Sequence, residues 1–348
     1  MRIIVRGTNW IGDAVMTIPA LRRLRASFPA ASISLHTRNW AEGIFRDADF
    51  IDEIIGFDKG ASKVASILEQ ARILKPQQFD LAVLFPNSFE SALVAKLAGI
   101  PKRLGYATQK RSFLLTDKVG IPDWKNERHE SNYYLNLVGQ VEEILLGSEL
   151  EVTPDSSSLP VAESRRSAAN EILAEAGVDL SRPTIALGAG STNSLAKRWP
   201  AEYFARLCDL LSGDLNANVL LLGSKEERSV ANEVIEQSRS NISDLSGKTD
   251  LAEATAILNV VDLFISNDMG LAHIAAAVGT PTLVIFGPTN HITTRPLGEN
   301  VEVIREPVEC SPCMLRECPI DHRCMTRISP ERVFESAVKM LEMQSVGK

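Results

Sequence analysis

Short apolar runs alternate with amphipathic segments along almost the whole 348-residue chain, and this alternation constrains the fold most strongly. Arg2–Arg6 and Pro183–Leu187 are mostly apolar runs of strand length, and glycine and polar residues follow each of them. Asp13–Ser27 and Ala201–Leu211 carry apolar residues at the spacing of a helix. Apolar strands separated by helices are typical of a parallel sheet covered on both faces. The pattern therefore predicts an α/β protein.

The alternation occurs twice, in two halves of about 150 residues, a common size for one domain. Between the halves lies Gly147–Arg166, which is rich in Ser, Glu and Pro and is the best candidate for a linker. We therefore predict an N-terminal domain over residues 1–160 and a C-terminal domain over residues 161–348. A last helical pattern, Pro330–Gln344, could pack on either domain.

Composition excludes several classes of protein. Lys and Arg number 37 against 44 Asp and Glu, and this net charge of −7 disfavours a dedicated nucleic-acid binder. No stretch of about 18 apolar residues is present, so the sequence predicts no transmembrane helix. The first residues lack the apolar core of a secretory signal. We expect a cytoplasmic protein whose contact with a membrane, if any, is peripheral.

The turn after the first predicted strand is the first candidate site. Gly7 and Gly12 permit close approach of a ligand to the backbone, and Asp13 opens the next helix. The spacing differs from the dinucleotide-binding GxGxxG motif. Asp13 is either a helix N-cap or a carboxylate placed in a cleft as a general base.

Three turns in the second half suit a phosphate group, and the last of them is Phe286–Thr289, which follows an apolar strand. The segment Gly188–Pro200 offers small residues, a hydroxyl at Thr192 and a cation at Lys197, although a solvated loop is the alternative. It lacks the Gly-Lys-Ser/Thr of a Walker A loop. The segment Ser266–His273 ends another apolar strand, and Gly270 begins the helix that follows it. Helix N-termini at strand ends bind anions, so the C-terminal half is predicted to bind the nucleotide.

These motifs together resemble one family. Trp10–Asp13, Lys197–Pro200 and Asn267–His273, in this order, look like the lipopolysaccharide core heptosyltransferases. Pro86–Phe89 followed by Ala98–Pro101 resembles the members that add the second heptose. The resemblance covers nearly the whole chain. It implies a GT-B fold, in which two Rossmann-like domains with parallel sheets face each other across a cleft. It also implies that the N-terminal domain binds the acceptor and the C-terminal domain binds ADP-heptose.

The resemblance also assigns residues. Asp13 corresponds to the proposed catalytic base of the family, and Gly12, Asn87 and Ser88 fall in the acceptor region. In some members a Glu contacts the ribose, but Gly223–Glu226 gives no clear equivalent here. The residues expected to bind the donor are Thr192, Asn193, Lys197, Thr249, Asp268, Met269, Gly270 and His273.

The chemistry of sugar transfer agrees with this interpretation. An acceptor hydroxyl must lose a proton as it attacks, which suits Asp13, and the leaving diphosphate needs cations and helix N-termini. The anomeric carbon passes through an oxocarbenium-like state. No Asp-x-Asp pair follows an obvious strand, so we expect no catalytic metal or other cofactor. Inversion of configuration at the anomeric carbon is implied by the family.

The implied partners are an ADP-heptose donor and the lipopolysaccharide inner core at the membrane surface. Such an acceptor is anionic. Two pairs of cations form a local basic strip that would suit it, although for any one of them a solvated surface position is as good an interpretation. These residues are Lys102, Arg103, Lys110 and Arg111.

Four cysteines lie close together near the C-terminal end: Cys310, Cys313, Cys318 and Cys324. In a reducing compartment this spacing suggests a structural zinc site, with reduced thiols or disulfides as the alternatives. A role in catalysis is not expected, because the cluster is remote in sequence from the donor turns.

Three other functions remain open at this stage. The first is a transferase of the same family with another sugar or acceptor. The second is a GT-B-like epimerase, which would need acid and base groups on both sides of the sugar. The third is a nucleotide-sugar-binding protein without activity, which would not need a carboxylate at Asp13.

Overall fold

The computed structural model describes residues 1–58, 60, 62–148 and 157–346. Contacts divide the chain into two units, Met1–Ser157 and Ser158–Lys348, and each is an α/β fold with one parallel sheet. Residues 149–156 of the predicted linker lie outside the described residues. The end of that predicted linker is helical, because a helix begins at Glu163.

The first unit holds a six-stranded parallel sheet in the order β3-β2-β1-β4-β5-β6. Its strands are β1 (Arg2–Arg6), β2 (Ser32–Arg38), β3 (Glu53–Phe57), β4 (Leu81–Leu84), β5 (Lys102–Tyr106) and β6 (Asp117–Val119). Its helices are α1 (Ile11–Met16), α2 (Ile18–Ser27), α3 (Glu42–Phe45), α4 (Lys63–Leu74), α5 (Phe89–Leu97) and α6 (Glu130–Leu146).

The second unit repeats this arrangement, with a sheet in the order β12-β11-β10-β7-β8-β9. Its strands are β7 (Thr184–Gly188), β8 (Asn218–Leu221), β9 (Ile242–Asp244), β10 (Leu263–Asn267), β11 (Thr282–Phe286) and β12 (Val301–Arg305). Its helices are α7 (Glu163–Glu175), α8 (Ala201–Leu215), α9 (Arg228–Gln237), α10 (Leu251–Val260), α11 (Gly270–Ala277), α12 (His291–Thr294), α13 (Arg323–Thr326) and α14 (Pro330–Val346).

Each sheet is buried between helical layers, which explains why its central strands are apolar without alternation. All five residues of β10 and all five of β11 are buried. In the second unit α8, α9 and α14 cover one face of the sheet, with Phe204, Val234 and Ala337 fully buried. Helix α14 therefore packs on the second unit, against α8. The prediction of two Rossmann-like units with parallel sheets is confirmed.

One predicted helix is divided in the structure. Asp13–Ser27 was expected to be continuous, but the chain forms α1 and α2 with a turn at Thr17. Proline has no N–H to continue the helical hydrogen bonds, and Pro19 follows this break directly. The Thr17 hydroxyl donates to the carbonyl of Ala14 at 2.6 Å and stabilises the turn.

A buried ion pair joins α2 to α6 in the first unit. Arg23 donates from Nε and Nη2 to the two carboxylate oxygens of Glu142, at 2.9 and 2.6 Å. Ser27 donates from its hydroxyl to the same carboxylate at 2.5 Å. The Glu142 side chain has no exposed surface. This geometry fixes α6, which carries aromatic residues of the site described below.

Within the described residues, no helix combines the length and the apolar character needed to span a membrane.

Candidate active site

The strand order determines where each unit can bind a ligand. In the first sheet β1 lies between β2 and β4, so the chain leaves the two neighbouring strands β1 and β4 in opposite lateral directions. Ligands of such sheets bind at the carboxyl ends of the strands at this reversal. The turns after β1 and β4, residues 7–10 and 85–88, meet at that edge. The first turn leads into α1, which carries the predicted residues Gly12 and Asp13, and the second contains the Asn87–Ser88 pair.

Asp13 lies in the first turn of α1 and is half-buried. The N-cap of this helix is Trp10, which makes no capping hydrogen bond through its side chain, so the N-cap interpretation of Asp13 is wrong. Burial, and after it the Asp13 carboxylate, raise the pKa of the Tyr134 phenol well above its ordinary value. The carboxylate is therefore close to an aromatic group of α6, near the strand-end edge of the sheet.

Arg111 has a different role from the predicted one. Its side chain has no exposed surface, and its guanidinium holds the turn after β4. Nε donates to the carbonyl of Tyr106 at 3.0 Å, and Nη1 donates to the carbonyls of Pro86 and Ser88. Nη2 donates to Oδ1 of Asn87 at 3.4 Å. Burial lowers the pKa of Arg111 to about 10, so it stays cationic at neutral pH.

Aromatic residues that the sequence interpretation did not include support the same turn. Tyr106 and Tyr133 stack with ring centroids 3.9 Å apart and an interplanar angle of 13°. Asn87 donates from Nδ2 to the hydroxyl of Tyr133 at 3.0 Å. Ser88 caps α5, because its hydroxyl accepts from the backbone N–H of Ser91 at 3.2 Å. The double tyrosine in α6 was the signal in the sequence, since large aromatic residues with hydroxyls need a polar partner when buried.

The predicted basic strip is not continuous. Lys102 and Arg103 begin β5, at the amino-terminal edge of the sheet, opposite the edge that carries the turn before Asp13. Arg103 donates to the backbone carbonyls of Ile100 and Leu114. Lys110 follows β5 at the carboxyl edge and is exposed. Of the four predicted cations, Lys110 alone is both exposed and at the same edge as Asp13.

In the second sheet β7 lies between β8 and β10, so the turns after β7 and β10 meet at its reversal point. These turns contain two of the three predicted phosphate-binding segments. Asn267, at the end of β10, holds them together. Its Nδ2 donates to the carbonyl of Ala189 at 2.8 Å, and its Oδ1 accepts from the N–H of Trp199 at 3.0 Å.

Lys197 and Asp268 form an ion pair across this junction. Lys197 Nζ is 2.7 Å from Oδ2 of Asp268, and the Thr289 hydroxyl donates to the same oxygen at 2.6 Å. The Asp268 side chain is 7% exposed and that of Lys197 is 26% exposed. Three adjacent turns, after β7, β10 and β11, therefore meet at one charged group.

Glu227 is a buried carboxylate at the same edge, and the sequence interpretation missed it. Its Oε2 accepts from the N–H of Ser224 at 2.8 Å in a capping box, and its Oε1 accepts from the Thr192 hydroxyl at 3.3 Å. It lines a pocket with Gly190 and Gly223. A Cβ at Gly190 would lie 2.4 Å from the Glu227 carboxyl group, so any larger residue would displace the Glu227 side chain. The capping pattern Ser-x-x-Glu at 224–227 was the available signal.

The other predicted donor residues lie around this edge. Asn193 is exposed in the turn after β7, and Thr249 lies in the turn between β9 and α10. Met269 is the N-cap residue of α11 and Gly270 its first residue. His273 is buried one turn further along α11.

The cysteine-rich segment contacts the predicted phosphate loop directly. The carbonyl of Arg316 accepts from the N–H of Ala196 at 2.9 Å and from the Ser194 hydroxyl at 3.2 Å. His322 Nε2 lies 2.6 Å from the carbonyl of Ala196. The segment is remote from the donor turns in sequence but contacts one of them in the fold, so its distance along the chain is no argument against a role at the site.

The four cysteines themselves form no disulfide with any described residue. Burial, and after it Cys310, Cys313 and Cys318, raise the pKa of the Cys324 thiol to about 11. Across the described ranges, no three His, Cys, Asp or Glu side chains are arranged as a set that could hold a metal ion. The four thiols are thus near one another but are not arranged as the ligands of a metal ion.

Comparison with known proteins agrees with this architecture. A family model described as glycosyltransferase family 9 (heptosyltransferase) matches residues 67–323. The chain is 28% identical to lipopolysaccharide heptosyltransferase 2 of Salmonella typhimurium over 361 aligned residues, covering 99% of this chain and 100% of that protein. It resembles the solved structure of Escherichia coli ADP-heptose lps heptosyltransferase II with a TM-score of 0.86 and 27% identity, covering 99% and 100% of the two chains. Escherichia coli heptosyltransferase WaaC, solved with ADP-2-deoxy-2-fluoro heptose, shares the fold at a TM-score of 0.72 and 19% identity, covering 97% and 99%.

Proposed function

The chain belongs to glycosyltransferase family 9, and on this premise we propose that it transfers a heptose from ADP-heptose to the lipopolysaccharide inner core. The relatives that it resembles over almost their whole length are named heptosyltransferase 2, which supports addition of the second heptose. The observation that carries the proposal is the Lys197–Asp268–Thr289 junction, where three turns converge on one ion pair.

The second unit supplies the donor site in this proposal. The diphosphate binds at the junction of the turns after β7 and β10, with Lys197 as its cation and the N-terminus of α11 as a source of N–H donors. The pocket at Glu227 lies beside it, and a carboxylate there suits the hydroxyls of a ribose. Charge that develops on the leaving ADP is stabilised by donors already in position.

The first unit supplies the base. Asp13 accepts the proton of the attacking hydroxyl as the bond to the anomeric carbon forms and the bond to the diphosphate breaks. A single displacement of this kind inverts the anomeric configuration and needs no second carboxylate as nucleophile. No catalytic metal or other cofactor enters the scheme.

A panel of nucleotides and substrates tests the activity. We expect ADP to raise the melting temperature more than UDP or GDP, and purified protein to transfer heptose from ADP-heptose to an inner-core acceptor. Conversion of the nucleotide sugar without acceptor would indicate an epimerase instead. Selective stabilisation by UDP or GDP would refute the donor assignment.

The acceptor is lipid-anchored, so we propose that the protein works at the cytoplasmic surface of the inner membrane. Phe113 is 66% exposed and Phe89 is 40% exposed, and their ring centroids are 6.0 Å apart. Lys96 Nζ lies 5.9 Å from the Phe113 ring. Lys110 precedes Phe113 in the turn region after β5. An apolar pair beside cations is suited to the interface of an anionic bilayer.

Vesicle sedimentation tests this surface. Lys96→Gln is expected to weaken binding to vesicles containing anionic phospholipid by about fivefold, since one cation near such a surface contributes about 1 kcal/mol. Phe113→Ser should weaken binding further. Leu180→Ser removes another exposed side chain, from the second unit, and is the control. Equal binding of all variants, or of wild type to uncharged vesicles, would contradict the proposal.

We further propose that Cys310, Cys313, Cys318 and Cys324 close around a structural zinc ion, which requires them to move from their positions in this structure, where they do not form a ligand set. Four thiolates are a usual zinc ligand set. The segment that carries them contacts the loop of Lys197 through Arg316 and His322, so a bound ion would stiffen the donor site. Elemental analysis of protein purified without chelator should give about one zinc per chain. Sub-stoichiometric metal, unchanged by Cys313→Ser, would refute this proposal.

A further inference from the structure

Two arginines of the first unit share one aromatic ring at the carboxyl edge of the sheet. Arg6 ends β1 and Arg38 ends β2. Their guanidinium carbons lie 3.9 and 5.3 Å from the centroid of the Phe57 ring, which ends β3. Arg6 pairs in register with His36, and Arg38 with Phe57, so these side chains project from the same face of the sheet. The edge is the one that carries the turn before Asp13.

Some of the N–H donors of Arg6 and Arg38 have no acceptor among the described residues. Arg6 donates from Nη1 to Oε1 of Gln70 at 2.9 Å, and Nη1 also lies 3.0 Å from Nδ1 of His36. Arg6 Nε and Arg38 Nη1 are both buried, and neither has a hydrogen-bond partner. Arg6 is 5% exposed. Buried donors are nearly always paired in proteins, so two of them at one edge indicate an absent acceptor.

Two hydroxyl groups lie near the same edge, and that of Thr37, between His36 and Arg38 in β2, projects from the other face of the sheet. Thr8 follows β1 and is 6% exposed, and Thr37 in β2 is 1% exposed. Neither hydroxyl oxygen has a hydrogen-bond partner among the residues that the structure describes. The Thr37 hydroxyl packs over Gly7, where a Cβ would lie 2.9 Å from it.

Ion pairing at this edge is also weak. The carboxylate of Glu90 is 4.0 Å from Nη2 of Arg6, and its side chain is 39% exposed. Burial, and after it the charge of Arg6, lower the pKa of His36 well below its ordinary value. Asp58, which follows β3, accepts a hydrogen bond from Nδ2 of Asn39 at 2.6 Å. An anionic ligand would give the buried guanidinium of Arg6 a closer counter-charge.

We propose that Arg6 and Arg38 form a subsite for an oxyanion, a phosphate or a carboxylate, carried by the acceptor saccharide. The planar guanidinium fork matches either group with paired hydrogen bonds. The assignment of the anion to the acceptor rests on the proposed function, in which Asp13 is the base. The chain runs from Arg6 directly into the turn before Asp13, so the subsite lies on the side of the proposed base. The anion-binding role does not depend on the proposed function.

Titration with anions tests the subsite without the transfer reaction. Wild type, saturated with ADP so that the donor site is filled, is titrated with inorganic phosphate or with acetate, and its melting temperature is followed. We expect stabilisation by phosphate, or by acetate if the natural group is a carboxylate, and its loss in Arg38→Gln. Arg38→Lys should retain part of it, because the charge remains without the fork. Arg2→Gln is the matched control, since Arg2 lies over Phe79 at 5.3 Å at the opposite end of β1.

Kinetics then assign the ligand. Arg38→Gln should raise the KM for the acceptor at least about tenfold, with the ADP Kd and the KM for the donor unchanged. Arg2→Gln should change none of these. If Arg38→Gln keeps the stabilisation by anions, the subsite does not exist. If the stabilisation is lost but the acceptor KM is unchanged, the acceptor assignment is wrong. If wild type transfers no heptose, the proposed function fails, whereas the titration still decides whether the anion subsite exists.

Discussion

Replacement of Lys197 by alanine tests the donor site most fully. In the structure Lys197 Nζ lies 2.7 Å from Asp268, and this carboxylate is almost completely buried. Loss of a charge-assisted contact to a diphosphate weakens binding by about 1.5–3 kcal/mol, which is roughly 10- to 150-fold in Kd. Lys197→Ala also leaves the Asp268 carboxylate near the diphosphate without its cation, so the loss should reach the upper part of this range.

Asp268→Asn separates the two contributions. This variant keeps the shape of the side chain and removes the negative charge, so it should bind ADP at least as well as wild type. The double variant Lys197→Ala/Asp268→Asn should bind ADP at least about threefold more tightly than Lys197→Ala. Residues in direct contact typically show coupling of about 0.5–3 kcal/mol.

Isothermal titration calorimetry with ADP at fixed ionic strength measures both effects. ADP is preferable to ADP-heptose, because Asp268 could also contact the sugar. Lys339→Ala removes an exposed lysine of α14 in the same unit and should leave the Kd unchanged. Wild-type affinity in Lys197→Ala would remove this residue from the donor site. A double variant weaker than Lys197→Ala would refute the role of Asp268 as a repulsive neighbour of the diphosphate.

Four further predictions concern packing. Glu142→Ala should lower the free energy of unfolding by about 3–5 kcal/mol in urea, and Arg23→Met/Glu142→Leu should recover most of this loss. Gly190→Ala, which pushes on Glu227, should cost about 1–3 kcal/mol of stability and weaken ADP binding in calorimetry. Gly213→Ala, with open space around its Cβ, should stabilise by about 0.5–1 kcal/mol. Arg111→Ala should lower stability by about 1–3 kcal/mol in urea, because buried carbonyls lose their donor.

The fold was largely predictable because its signals are local. Apolar strands such as β1 and β10, followed by glycine and polar turns, identify two parallel sheets, and their order follows the rules for such units. The missed strands lie at or next to the edges of the sheets and have mixed composition, such as β5, β6 and β9. Their pairing depends on the sheet that they join and leaves little periodicity in the sequence.

The strand-end turns that carry Lys197 and Asp268 were predictable, and the structure brings these two residues together in an ion pair. The site was not predictable where a side chain turns inward. Arg111 and Lys110 are adjacent in sequence, yet one is buried under the β4 turn and the other is exposed. Charge alone does not distinguish these cases. An arginine can be buried when backbone carbonyls, such as that of Tyr106, accept its hydrogen bonds. The contact between the cysteine-rich segment and Ala196 spans more than a hundred residues, and no local pattern reports it.

The central claim is that Asp13 acts as the base for heptosyl transfer from ADP-heptose. The most direct test is the transfer rate of Asp13→Asn at saturating donor and acceptor, measured together with its ADP affinity. The account predicts a fall in kcat of at least about 100-fold with an unchanged ADP Kd. Transfer within about tenfold of wild type, a difference of no more than roughly 1.4 kcal/mol in the barrier, would contradict it.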